Sequence, residues 1–292
     1  MADFSVEVLK QRLRGQRDAA AGLPLAEARA GLDSFGAKAR LPPQIAVSQT
    51  RLADRNAEWL TPCDAPKDRA VLYIHGGGFV AGSCASHRQL ASEIAAASNT
   101  QTVALDYSLA PENPWPTAER EAASAYRELL ESFARVAVVG DSAGGHIAIG
   151  ATLRARDEGK PLPAAIVLMS PWIDLDMTGG SVLARASVDP VLREDRLRSY
   201  AALYRNGGRE KSLLEADLAG FPPTLIHAGG DEILKDDALR FAQRLERYGV
   251  ETVCDIRPGL FHVWHAYTPW LAEAREAVTT IGEFLGQKLG RS

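Results

Sequence analysis

VAVVGDSAGGHIAIGATLRA, residues 136–155, turns from an apolar run into a stretch of helical composition within five residues. Val136 to Val139 is short and rich in β-branched side chains, as a strand buried on both faces would be. Ala143 to Asp157 has the length and small-residue content of a helix. Between them lies Gly140-Asp141-Ser142-Ala143-Gly144, so a G-x-S-x-G spacing sits at a strand-to-helix junction, which is the setting that gives it chemical meaning. Side chains at Gly140 or Gly144 would collide with so tight a turn. The turn forces an unfavourable backbone conformation on Ser142, a form of strain found where a side chain must be held out toward a ligand. The following helix aims its first amides, that of Ala143 among them, at the same point.

Working outward, similar apolar runs recur at Val71 to Ile74, Val103 to Tyr107, Ile166 to Met169, Thr224 to Ala228 and Thr252 to Ile256. Helix-like stretches alternate with them at His87 to Ser98, Thr117 to Phe133 and Asp236 to Tyr248. Such alternation predicts an α/β fold with a central, mostly parallel sheet flanked by helices. In that architecture ligands bind beyond the carboxyl ends of the strands. The places to search are therefore His75 to Gly78, Gly140 to Gly145, Gly229 to Glu232 and Pro258 to His265.

Two stretches fall outside the alternation. Residues 1–45 and 178–218 are expected to pack together as a helical cap over those strand ends, leaving residues 46–177 and 219–292 as the two parts of one catalytic core.

AVLYIHGGGFVAGS, residues 70–83, follows a strand with His75-Gly76-Gly77-Gly78. Acyl transfer passes through a tetrahedral oxyanion, and backbone N–H groups aimed at it supply several kcal/mol of selective stabilisation. Glycines let the main chain come that close. The amides of Gly76, Gly77 and Ala143 are the expected donors. The same residues match the G-x-G-x-x-A dinucleotide fingerprint, but the acidic residue that motif needs about twenty positions on is missing, Asp106 lying about thirty away.

A serine hydroxyl needs a base within hydrogen-bond reach. Of the six histidines, His75, His87, His146 and His227 lie within a glycine loop, helices or a strand, which leaves His262 and His265 in RPGLFHVWHAY, residues 257–267. His262 is nearer the strand end and is the expected base; as metal ligands the pair lacks the Glu of H-E-x-x-H. In TLIHAGGDEIL, residues 224–234, Asp231 just past a strand is the expected carboxylate for the His262 Nδ1 proton. Glu232, Asp236 and Asp237 are read as pointing elsewhere or as solvated charges at a helix start. The order Ser142, Asp231, His262 is that of α/β-hydrolases. An ordinary histidine base would lose activity as pH drops through roughly 6 to 7.

Composition narrows the remaining classes. A chain of 292 residues with 46% hydrophobic side chains can bury a large core without metal or disulfide. The formal charge of -4 and the lack of basic runs argue against nucleic acid or anionic membrane as partner. Three cysteines without C-x-x-C spacing suit a reducing compartment, and neither a secretory signal nor eighteen consecutive apolar residues is seen. The expectation is a cytoplasmic protein without stable membrane association.

The motifs together resemble the hormone-sensitive-lipase-like family of α/β-hydrolases, the bacterial family IV esterases. The matching segments are HGGGF (75–79), YSLAPE (107–112), GDSAGG (140–145), SPWIDL (170–175), GGDEIL (229–234) and FHVWH (261–265), in the family's order. The resemblance implies an α/β-hydrolase fold with a helical cap. It also implies a serine carboxylesterase acting on small-molecule esters of short to medium acyl chains, lactones and aryl esters included, through an acyl-enzyme. No cofactor and no metal are implied, and such enzymes often form a homodimer through the sheet edge. Ser108 stands where the family usually has Arg, which bears on local packing and not on the triad. Val191 could face the acyl pocket, and Phe4, Val8, Leu9 and the segment around Trp172 could line a pocket. Two other readings use the same residues: acyl transfer to a nucleophile other than water, and a ligand-binding protein that kept the fold and lost catalysis.

Overall fold

A computed structural model describes residues 4–20, 22–37, 40–208 and 212–290. Eight strands form one sheet: β1 (Ile45–Leu52), β2 (Arg55–Pro62), β3 (Arg69–Ile74), β4 (Gln101–Leu105), β5 (Arg135–Asp141), β6 (Ile166–Met169), β7 (Thr224–Gly229) and β8 (Thr252–Arg257). Their spatial order is β1-β2-β4-β3-β5-β6-β7-β8, with every neighbouring pair from β4 to β8 parallel.

The six parallel strands coincide with the apolar runs read from the sequence; β1 and β2 were not anticipated. They pair antiparallel, joined by the two-residue turn Ala53-Asp54, both of positive φ (49° and 60°), as a tight hairpin requires. The hairpin sits at the sheet edge and β1 is buried only at its ends, Ile45 and Leu52. It therefore carries no continuous apolar run by which to recognise it.

The covering helices are α3 (Cys84–Ser98) and α9 (Ala272–Leu289) on one face and α4 (Thr117–Ser132), α5 (Ala143–Asp157) and α8 (Lys235–Arg247) on the other. Strand β5 shows why both faces must be apolar: Val136 and Val138 join the layer under α4 and α5, while Ala137 and Val139 join the layer under α3 and α9. Side chains alternate across a strand, so a polar residue at any of the four would be buried.

Helices α1 (Val6–Ala19) and α2 (Leu25–Gly36) precede the sheet, and α6 (Ser181–Ala184) and α7 (Glu194–Arg205) lie between β6 and β7. The two groups meet: guanidiniums of Arg14 and Arg17 on α1 donate to the carbonyls of Val188 and Asp189. Leu9 and Leu13 of α1 form a separate apolar cluster with Phe261, Trp264 and Leu271, beside the segment that carries His262. Tyr200 of α7 lies so close over the glycine loop that a Cβ on Gly78 would come within 2.5 Å of its ring. Residues 1–3, 21, 38–39 and 209–211 of the anticipated cap segments lie outside the described residues. Among the described residues no helix is long and apolar enough to cross a membrane.

Candidate active site

Ser142 closes β5 and caps α5 with φ 51° and ψ −120°, a conformation that costs a non-glycine residue about 1–3 kcal/mol. Close packing holds it there. A Cβ at Gly144 would lie 2.1 Å from the Ile74 carbonyl oxygen, and one at Gly140 would lie 2.4 Å from the Gly144 carbonyl oxygen. The elbow is thus wedged against the end of β3. The Ser142 amide donates to Met169 O at 2.9 Å, and its own carbonyl accepts from Trp172 N at 3.0 Å.

The Ser142 hydroxyl lies 3.0 Å from His262 Nε2, and His262 Nδ1 lies 3.0 Å from Glu232 Oε2. A carboxylate beside Nδ1 keeps the proton on that nitrogen and leaves Nε2 to accept the serine hydroxyl proton. Glu232 is fully buried, and its Oε1 also accepts the Gly229 amide at 3.2 Å. Burial disfavours the charged form of His262. The hydrogen bond to Glu232 and the negative charges of Glu232, Asp189 and Asp141 outweigh burial and raise its pKa above the ordinary 6.5.

Two expected site residues lie elsewhere. Asp231 does not face His262; its Oδ2 accepts from Lys10 Nζ of α1 at 2.7 Å. In the turn after β7 the Asp231 amide bonds to Leu260 O, so adjacent side chains diverge, Asp231 toward α1 and Glu232 toward the imidazole. Glu232 had been read as pointing away. No local sequence signal separated the two carboxylates: the burial of Lys10 beside Leu9 on α1, which claims Asp231, exists only in the folded chain. Asp236 and Asp237 do point elsewhere and lie in the first turn of α8, though backbone amides hold them in place of solvent. Asp236 accepts the Ser181 amide, and buried Asp237 accepts those of Ile173 and Asp174.

The Gly76 amide is the second departure. It donates to Asp141 Oδ1 at 3.1 Å and so is turned away from any oxyanion. Asp141, buried in the elbow, also accepts the Tyr73 hydroxyl at 2.7 Å and faces His87 Nε2 at 3.4 Å. Its burial raises the carboxyl pKa, but His87, Tyr73 and His75 together bring it below the usual range. Gly77 and Gly78 follow with φ of 115° and 65°, which only glycine adopts readily. Among the described residues the amides of Gly77, Gly78 and Ala143 have no acceptor. Gly77 and Ala143 were anticipated; Gly78 was missed because three consecutive glycines look alike until the elbow aspartate claims the first.

The other histidines build the walls. His75 is buried, donates from Nδ1 to Gly76 O at 2.7 Å and stacks on Tyr107 at 4.2 Å; burial and neighbouring His87 lower its pKa to about 3. His265 is buried against His227, at 3.1 Å between ring nitrogens, with its pKa well below the ordinary value through burial and that neighbour. Ser108 donates through its amide and hydroxyl to Glu121. Trp172 is core and Val191 packs against the apolar cluster that contains Leu9, Leu13 and Phe261, whereas Phe4, Val8 and Leu9 do line a cavity, of about 210 Å³, between α1, α2 and Tyr267. The Tyr267 ring packs on Phe261, the residue before His262, with centroids 5.4 Å apart.

Comparison with known proteins identifies the family. The family described as alpha/beta hydrolase fold matches residues 71–266. An acetyl-hydrolase of Streptomyces hygroscopicus is 41% identical over 242 residues, 80% of each chain. The crystal structure of an esterase from the bacterial hormone-sensitive lipase family superposes with a TM-score of 0.92 at 37% identity, covering 99% of this chain and 100% of that one. A hormone-sensitive lipase from a metagenome library gives 0.95 at 30% identity over 99% of this chain and 100% of that one. The chain therefore belongs to the α/β-hydrolase family, in its hormone-sensitive-lipase-like branch.

Proposed function

We propose that this carboxylic ester hydrolase cleaves short to medium acyl esters through an acyl-enzyme on Ser142, with His262 as base, Glu232 as orienting acid and the amides of Gly77, Gly78 and Ala143 as oxyanion donors. The relay of two 3.0 Å contacts ending on a strained serine carries this reading. Ser142 Oγ attacks the ester carbonyl carbon while its proton passes to His262 Nε2. The carbonyl oxygen becomes an oxyanion, and preorganised amide donors of this kind are each worth about 2.7–4 kcal/mol. The imidazolium, stabilised by Glu232, then gives its proton to the departing alkoxide. Water repeats the sequence on the acyl-enzyme, releasing the carboxylic acid and restoring the serine.

The 41% identity to an acetyl-hydrolase supports an acyl group of limited length. With p-nitrophenyl esters from acetate to palmitate, kcat/KM is expected to peak among the short and medium chains. A maximum at long chains above their solubility limit would overturn the assignment in favour of a lipase acting at lipid surfaces.

The base must be neutral to accept a proton. Because the His262 pKa is raised, the imidazole stays protonated to higher pH than a free one, and kcat/KM falls on the acid side with a midpoint above 6.5. A pH–rate profile that stays flat from pH 8 down to 5 would remove histidine from the role of base.

A further inference from the structure

Lys10 is only 4% exposed on a helix whose first turns are otherwise largely solvated. Lysine is rarely buried so fully without a partner, and here the partner is informative. Its ammonium reaches Asp231 at 2.7 Å and Glu7 at 2.9 Å; although burial opposes the charge, these carboxylates keep its pKa above the ordinary value. Asp231 precedes Glu232, the residue that holds the imidazole.

The contact belongs to a larger seam. Positions 10, 14 and 17 share one face of α1, and all three basic side chains on it point inward: Lys10 to Asp231, Arg14 to Val188 O and Arg17 to Asp189 O. Asp189 is fully buried; its Oδ1 accepts the amides of Val191 and Leu192 and its Oδ2 accepts that of Ile233 at 2.8 Å. The turn 231–233 is therefore gripped on either side of Glu232, at Asp231 by the first cap segment and at Ile233 by the second.

We propose that Lys10 is a positioning residue for the esterase reaction: its ion pair with Asp231 docks the cap helix on the acid turn, keeps Asp231 off the imidazole and leaves Glu232 as the carboxylate that orients His262. This rests on the assignment of Ser142, His262 and Glu232 above. The arrangement explains why two adjacent carboxylates do not compete for one Nδ1–H: a cation supplied from α1 neutralises one of them. It also couples cap docking to catalytic geometry, since undocking α1 frees an acidic side chain next to the triad.

The charges around His262 set the sign of each substitution. It is faced by Glu232 from the acid turn, Asp189 from the second cap segment and Asp141 from the elbow, with His265 on its own segment and the Lys10–Asp231 pair, with Glu7, one residue beyond Glu232. Lys10→Met leaves Asp231 unneutralised and moves the acid limb of kcat/KM to higher pH. Asp231→Asn removes one negative charge, leaving the ammonium paired with Glu7 alone, and moves it to lower pH. Each shift is expected to be about half a unit, the effect of one charge several ångströms away near a protein surface.

The test measures p-nitrophenyl acetate hydrolysis by the full chain for wild type, Lys10→Met, Lys10→Arg, Asp231→Asn and the Lys10→Met/Asp231→Asn double variant. Expected are a kcat lower by about tenfold to a hundredfold in Lys10→Met with KM little changed, as for a small misplacement of a catalytic group. The two single variants should shift the acid limb in opposite directions, the double should return toward the wild-type limb, and Lys10→Arg should recover most of kcat. Profiles that overlie wild type, or single variants that shift the same way, would overturn the proposal. Should Lys10→Met fail to fold, Asp231→Asn and Lys10→Arg still decide it: an unmoved acid limb in the first, or loss of activity in a folded second, counts against it. Ser142→Ala assayed alongside separates the two levels. Full activity in that variant would defeat the catalytic assignment itself, whereas an inactive Ser142→Ala with unaffected Lys10 and Asp231 variants would defeat only the docking pair.

Discussion

Replacing Ser142 with alanine is expected to lower kcat by about a million-fold, the scale seen when the nucleophile is taken from a serine–histidine–acid relay that acts as a unit. The amides of Gly77, Gly78 and Ala143 survive the change, so the residual rate is expected to stay about 10³–10⁴-fold above that in water. Alanine also relieves nothing of the turn, because the positive φ at residue 142 is imposed by Gly140 and Gly144 packing against each other and β3. The variant should fold with an unaltered thermal midpoint. A fluorophosphonate probe supplies the check independent of rate: a mass adduct on wild type and none on Ser142→Ala. Labelling of wild type at some other residue, or undiminished turnover by the variant, would refute the nucleophile. Absence of any adduct on folded wild type would favour a binding protein that has lost catalysis.

Glu232→Gln is expected to reduce kcat by about 10⁴-fold while Asp231→Asn, one residue away, costs at most about a hundredfold. An amide at 232 keeps the shape of the side chain but presents either a donor or a weak acceptor to His262 Nδ1, which is 3.0 Å away. Wrong tautomer and unsupported imidazolium then act together. Glutamine also removes the strongest of the influences that raise the His262 pKa, so the acid limb of whatever activity remains moves to lower pH. The comparison of neighbouring carboxylates is the sharp part. If Asp231→Asn proved the more damaging, Asp231 would be the acid after all, and the turn would have to rearrange on substrate binding.

The parallel sheet was legible because each of its strands is buried on two faces and so cannot avoid an apolar run, as the alternation of Val136 to Val139 between the two core layers shows. Ser142 and His262 were legible for a related reason. The elbow tolerates almost no side chain at Gly140 or Gly144, so its sequence is constrained by contact, and His262 stands at the strand end that faces it. The β1–β2 hairpin escaped because an edge strand with one wet face needs no such run.

What the residues by themselves determined was the alternation of the parallel strands with their helices, the serine at the strand-to-helix turn, the histidine that meets it and the glycine loop, each marked by a pattern confined to a few positions of chain. Only the tertiary structure decided which of two adjacent carboxylates meets the imidazole and which two of three consecutive glycines keep their amides free. Both choices are made by groups distant in sequence: Lys10 draws Asp231 aside across 221 positions, and Asp141 takes the Gly76 amide across 65. A local pattern can offer a carboxylate or an N–H, but its direction depends on the partner that packing brings to it.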